Sequence, residues 1–211
     1  MLSLDRPLLV ATHNPGKLRE IAYLLEPHGI EVIGAAALGL SEPEETGESF
    51  AANALLKARA AAAATGLPAL ADDSGLAVHG LDGRPGIHSA RWAGPERDFD
   101  RAIARVLAEL TERFGSFAAA EKRAAFIAVL CLADPAGGHQ LFEGQVEGSL
   151  IERARGAAGF GYDPIFIPGG HAHTFAEMSA AEKHAISHRR RAIDRFLAAL
   201  AAACDPPLSA A

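Results

Sequence analysis

The sequence predicts an α/β fold built on a mixed sheet. Three observations predict it. Leu8-Leu9-Val10-Ala11, the helical spacing of Leu18, Ile21, Leu24 and Leu25, and Glu31-Val32-Ile33 read together as a β-α-β unit. The apolar stretch 124–133 and the alternating stretch 140–151 are placed to pair as antiparallel neighbours. Segment 75–94, rich in Gly and Pro, reads as turns around a further short hairpin. Hairpins that interrupt β-α-β units exclude a purely parallel sheet.

Each element has a local reason. Asn14 is a good N-cap, Pro15 suits the first helical position, and Pro27 and Gly29 stop the first helix. Residues 38–49 are acidic and loop-like. The Ala-rich stretch 51–64 is a helix with Gly66 as its C-cap. Residues 66–71 read as a short buried strand ending at Asp72-Asp73. An amphipathic helix spans 101–114, with Ile103, Val106, Leu107 and Leu110 on its apolar side. Ile165-Phe166-Ile167 is a last short strand. The final helical stretch, 179–203, opens on the capping box Ser179-x-x-Glu182 and carries Ile193, Phe196, Leu197 and Leu200 on one face.

Composition narrows the function. A chain of 211 residues, 49% hydrophobic, fits one large domain or a domain with two lobes. A net charge of −6 argues against nonspecific binding to a nucleic-acid polymer but leaves room for a small nucleotide. The two cysteines, Cys131 and Cys204, form no metal or disulfide pattern and suit a reducing cytoplasm. No apolar run reaches the ~18 residues of a membrane span. Asp5 near the start does not suit a signal peptide. The protein is read as soluble and cytoplasmic.

Five clusters can carry chemistry. Asp72-Asp73-Ser74-Gly75 follows the short strand, and two carboxylates at a strand edge suit either a hard cation such as Mg2+ or a turn. Thr12-His13-Asn14-Pro15-Gly16-Lys17 joins a strand to a helix N-terminus, where phosphate is favoured; it is either a phosphate loop or a capped helix with a solvated lysine. Glu42, Glu44, Glu45 and Glu48 are either a solvated helix lead-in or a source of a second metal carboxylate. Gly159-Phe160-Gly161-Tyr162-Asp163-Pro164 is a turn, either structural or presenting a ring to stack on a base. Lys183 and His188 lie about 140° apart on a continuous helix at roughly 100° per residue, so they cannot both face one ligand there. A break near Ser187, which would cap a second helix, is predicted. His79, His88, His171 and His173 lack metal-ligand spacing.

In this order the segments closely resemble the inosine triphosphate pyrophosphatase, or HAM1-like, family. The likeness rests on residues 12–17, Glu44-Glu45-Thr46-Gly47, Asn53-Ala54-Leu55-Leu56-Lys57-Ala58, and Ala71-Asp72-Asp73-Ser74-Gly75-Leu76. It continues through Pro85-Gly86-Ile87-His88-Ser89-Ala90-Arg91, residues 159–164, and Glu182-Lys183-His184-Ala185-Ile186-Ser187-His188-Arg189. It covers roughly residues 8–200. One departure is His13, where family members often have Gly. The resemblance implies hydrolysis of ITP, dITP and XTP to the monophosphate and pyrophosphate, clearing deaminated purines from the nucleotide pool. It also implies Mg2+, a homodimer, and a single domain over 1–205 with a variable tail, 206–211. The implied fold is a long central mixed sheet with helices on both sides and two lobes enclosing the nucleotide.

By residue, the resemblance makes Asp73 the general base and a metal neighbour, with Glu44 the second metal-associated carboxylate and Glu45 its rival. Thr12, His13, Asn14, Pro15, Gly16 and Lys17 become the triphosphate grip, and Ser74 a substrate contact. Phe160, Gly161, Tyr162 and Asp163, with Lys183, His188 and Arg189, become the base and sugar pocket. A donor there, from the His188 ring, Arg189 or a backbone N–H, would favour a 6-oxo purine over adenine.

Overall fold

The computed structural model describes residues 7–204; the expected tail at 206–211 and Asp5 lie outside them. The strands are Leu8–Val10 (β1), Val32–Gly34 (β2), Ala69–Val78 (β3), Arg123–Ala133 (β4), His139–Leu150 (β5) and Phe166–Pro168 (β6). They form one sheet in the order β2-β1-β3-β4-β5-β6. β1 pairs in parallel with both β2 and β3, and β5 pairs antiparallel with β6, so the sheet is mixed. The helices are Pro15–Leu25 (α1), Phe50–Thr65 (α2), Ser89–Trp92 (α3), Phe99–Phe114 (α4), Ala180–Ile186 (α5) and His188–Cys204 (α6).

Local chemistry sets most boundaries. The Asn14 side chain caps α1, and Pro15 occupies its first turn. Ser49 caps α2, and Gly66 ends it at φ +68°, a conformation that costs glycine little. Ser179 and Glu182 form the capping box of α5. Ser187 then adopts an extended backbone, φ −66° and ψ 156°, and α6 starts at His188. The helix therefore breaks at Ser187, as its sequence position between Lys183 and His188 predicts.

Two expectations need correction. The strand that was to end at Asp72-Asp73 continues through both residues to Val78. Carboxylates are poor strand formers, but long-range pairing of Asp72, described below, offsets that local preference. Segment 75–94 is accordingly less of a turn region than its Gly and Pro content suggests. Its first part is strand, and its remainder folds into short helical turns and α3, with one antiparallel bridge between Ala77 and Pro85.

The chain forms two compact units. Unit 1 comprises the chain up to Asp72, Val129–Gly144, and the chain from Arg189. Its core gathers Leu8, Leu9 and Val10 with Ile21, Leu24 and Leu25 of α1 and with Ala54, Ala58, Ala61 and Ala62 of α2. The buried alanines recur at helical spacing and present one smooth, small-residue face. Phe142 packs edge-on against Phe196 of α6, centroids 5.5 Å apart. Unit 2 comprises Asp73–Ala128 and Gln145–His188. Its core joins Leu76 and Val78 to Ile103, Val106 and Leu110 of α4 and to the ring cluster Phe126, Phe166 and Phe175. No helix among the described residues is long and apolar enough to cross a membrane.

Candidate active site

In unit 1 the turn between β1 and α1 is tightly organised. The Asn14 N–H donates to Thr12 Oγ1 at 3.2 Å, and Asn14 Oδ1 accepts from the N–H groups of Gly16 and Lys17 at 2.9 and 3.3 Å. The cap thus takes two of the helix's leading donors. What this end offers an anion is the partial positive charge of the helix terminus and the Lys17 ammonium. His13, half-buried, donates from Nε2 to the Leu40 carbonyl at 2.7 Å. A carbonyl only accepts, so Nε2 carries the proton.

Lys17 is not a solvated lysine. Its ammonium lies 2.6 Å from Asp72 Oδ1, while Arg189 Nε donates to Asp72 Oδ2 at 3.1 Å. Arg189 also pairs with Glu20. Asp72, Arg189 and Glu20 are all buried. Burial would raise the Asp72 pKa, but the Lys17 and Arg189 charges outweigh it and hold the carboxyl below the usual carboxylate range. Burial likewise pulls the Arg189 pKa down, and Asp72 and Glu20 more than reverse it. Asp72 therefore acts as the ionised anchor that sets Lys17 on the first turn of α1. Arg189, expected beside the base, has its guanidinium in these two pairs. Glu20 was missed in the sequence, although its place three residues after Lys17 puts it one turn along the same helix.

The acidic loop of unit 1 has its own anchor. Lys57 of α2, 6% exposed, lies 2.8 Å from Glu45, and the Gly47 N–H donates to Asn53 Oδ1 at 2.8 Å. Glu45 is half-buried and Glu44 is exposed. Lys57, His13, Leu40, Ser41, Glu42 and Pro43 line a pocket of about 270 Å³. Lys57 belongs to a motif noted in the sequence, yet nothing local marks it as buried.

In unit 2, Asp73 is buried and Ser74 half-buried on β3. Asp72 and Asp73 follow one another on a strand, so their side chains point to opposite faces. Gly75 has no room for a side chain: a Cβ would come within 2.4 Å of the Gly86 carbonyl and of Ser89 Oγ. Ser89 fills that space. Its hydroxyl accepts from the Leu76 N–H at 2.9 Å and donates to the Gly86 carbonyl at 2.7 Å. Its own carbonyl accepts from the Tyr162 hydroxyl at 3.0 Å. Burial pushes the Tyr162 phenol up, which keeps it a neutral donor.

Unit 2 also assembles the aromatic turn. Asp163 Oδ2 accepts from Lys183 Nζ at 2.6 Å and from the Phe160 N–H at 2.8 Å. Gly159, at φ +73°, leaves the space that this carboxylate fills. The Lys183 ammonium lies 4.8 Å from the Phe160 ring centroid and 5.7 Å from that of Phe175. The His188 ring stacks on Phe126, centroids 5.0 Å apart and 12° from parallel. The sequence-predicted residues Phe160, Gly161, Tyr162, Asp163, Lys183 and His188 thus fall in one unit, and 12–17 with Arg189 in the other. Lys183→Met should leave the buried Asp163 carboxylate without its counter-charge and lower the unfolding free energy by about 3 kcal/mol, the lower end of the cost of breaking a buried ion pair, because the Phe160 N–H still donates to Asp163. The urea midpoint reads this loss; a change below about 0.5 kcal/mol would fall within the range of ordinary surface substitutions and deny the pair that role.

The described residues contain no group of three or more His, Cys, Asp or Glu able to hold a metal by themselves. The candidate metal residues Asp73, Glu44 and Glu45 all offer hard carboxylate oxygen. That chemistry fits Mg2+, which is usually held by one or two carboxylates with water and substrate phosphates completing the shell.

Comparison with known proteins places the chain in a family. The Ham1 family model matches residues 8–199. A dITP/XTP pyrophosphatase from Rhodopseudomonas palustris is 54% identical over 192 residues, covering 88% of this chain and 91% of its own. The solved structure of a HAM1 protein from Coxiella burnetii superposes with a TM-score of 0.83 at 38% identity, covering 92% of this chain and 98% of its own. That of a nucleoside-triphosphatase / dITP/XTP pyrophosphatase from Mycobacterium abscessus gives 0.71 at 42% identity, covering 91% and 99%. A family model that runs from β1 into α6, with relatives more than half identical over most of the chain, leaves one conclusion: the chain belongs to the Ham1 family.

Proposed function

We propose that this protein hydrolyses the triphosphates of deaminated purines, dITP, ITP and XTP, to the nucleoside monophosphate and pyrophosphate. The observation that carries the reading is Lys17, fixed on the first turn of α1 by a buried, ionised Asp72, with Asp73 the next residue on the same strand. Phosphoryl transfer needs charge neutralisation, a placed water and positioning rather than a covalent nucleophile. Lys17 and the α1 terminus supply positive charge for the triphosphate. Lys57, already turned toward Glu45 at the pocket wall, supplies more.

Asp73 is the general base. Its carboxylate orients a water and takes the proton as the water oxygen bonds to the α-phosphorus. The bond from that phosphorus to the bridging oxygen breaks, and pyrophosphate leaves. Asp73 and Glu44, with Glu45 its rival one residue away, would offer carboxylate oxygen to Mg2+, and Glu45 already pairs with Lys57. When bound, the ion neutralises phosphate charge. The Phe160 ring supplies the stacking surface for the base, and Lys183 steadies the turn that presents it. Residues 1–205 act as one two-lobed domain, working as a homodimer in the cytoplasm.

A nucleotide panel tests the reading. The purified protein with Mg2+ should release pyrophosphate from dITP, ITP and XTP with a kcat/KM at least about a hundredfold above that for ATP, because a single donor to the 6-oxo group, from the His188 ring or a backbone N–H, would leave adenine's amine unpaired. Excess chelator should abolish the release. Orthophosphate as first product, or equal rates on all purines, would exclude the activity.

A further inference from the structure

We infer that His13 is a positioning residue whose ring ties the phosphate turn to the acidic loop, both within unit 1. The tie is one bond across 27 residues of sequence, from His13 Nε2 to the Leu40 carbonyl at 2.7 Å. Leu40 opens the segment 40–47, which has no regular secondary structure and carries Glu42, Glu44 and Glu45. Behind Leu40 the chain is closed by local bonds, from the Gly39 N–H to the Ala36 carbonyl and from the Leu40 N–H to the Ala35 carbonyl. At its far end the segment is held by Lys57 on Glu45 and by Asn53 on Gly47. His13 therefore supplies the tie at the near end, one residue before the Asn14 cap of α1.

The placement has a chemical consequence, which rests on the functional reading above. Irregular backbone without ladder bonds samples many conformations, and each fixed residue costs about 1–2 kcal/mol of entropy. A loop that brings a carboxylate to a phosphate-bound ion gains by being ordered in advance. His13 and Leu40 both line the pocket that Lys57 shares, so the same bond shapes the pocket wall. A glycine at this position has no side chain with which to make the tie. This chain thus holds its acidic loop by a side chain that the phosphate turn itself provides.

Two variants test it. His13→Ala removes the donor; His13→Gln keeps an uncharged N–H donor of similar reach. Amide hydrogen exchange over 40–47 in the nucleotide-free protein reads the tie, and steady-state kinetics on dITP at saturating Mg2+ read its consequence. The expected result for His13→Ala is exchange over 40–47 accelerated about three- to tenfold, the weight of one net hydrogen bond. KM should rise by a similar factor while kcat stays within about twofold, and His13→Gln should restore both. Unchanged exchange in His13→Ala overturns the tie. Faster exchange that His13→Gln does not restore overturns the hydrogen bond as its cause. Faster exchange with an unmoved KM overturns the positioning role. Failure of the wild-type protein on every deaminated purine would instead strike the functional reading and leave the exchange result standing.

Discussion

Asp73→Asn should lower kcat on dITP by roughly 10²–10⁴-fold, the usual weight of a positioned general base. Asparagine matches aspartate in shape but has no carboxylate to take a proton from water. The expected losses elsewhere are small: KM within a few-fold, and a thermal unfolding midpoint within a few degrees of wild type. Asp73 is 4% exposed on a strand whose packing an isosteric amide preserves. The measurement is pyrophosphate release at saturating dITP and Mg2+, with circular dichroism on the same sample. Turnover above about a tenth of wild type would remove Asp73 from the base role.

The neighbouring residue should fail in a different way. Asp72→Ala leaves Lys17 and Arg189 without the carboxylate they share, and removing one member of a buried ionic group typically costs about 3–5 kcal/mol. For a chain of this length that corresponds to a drop of roughly 6–20 °C in Tm. Glu20 still pairs with Arg189, which places the effect toward the lower end. The sign of the pH dependence follows from the lowered Asp72 pKa. The unfolded chain takes up the proton first as pH falls, so this stability is present above the ordinary aspartate pKa of about 3.9 and is lost as pH falls through the lower folded value. The stability gap between wild type and Asp72→Ala should therefore be flat from about pH 8 to 5 and narrow only below about pH 4. Urea titrations across that range decide it. A gap that widened as pH fell would contradict the ion-pair account.

Much of this was legible because it is local. Asn14 and Pro15 at one end and Gly29 at the other mark the first helical segment, each by its own backbone chemistry. The Ser187 break was legible for a related reason, since Lys183 and His188 fall on incompatible phases of one helix. The course of β3 was not. Two adjacent acids argue locally for a turn, and what overrules them lies far off in sequence, with Arg189 reaching Asp72 across 117 residues. The site's buried cations were hidden too, because burial is a property of the fold rather than of neighbouring residues. Locally Arg189 is one more polar residue after the Ser187 break and Lys57 one lysine in an Ala-rich helix, and only the fold shows both inside. Composition also misled at 75–94. Gly75 reads as a turn residue, whereas the strand uses it for clearance.

That clearance limits how the protein can vary. At position 75 even a methyl group collides with a carbonyl at 86 and a hydroxyl at 89. The carbonyl belongs to the backbone, so no substitution at 86 removes it, and position 75 admits a side chain only if the turn at 86–89 moves. Random mutagenesis scored for folded, soluble protein should find residue 75 among the less permissive sites of β3. Drift in substrate preference would have to travel through the loops instead, since this stretch of the strand that carries Asp73 leaves no room for a new side chain.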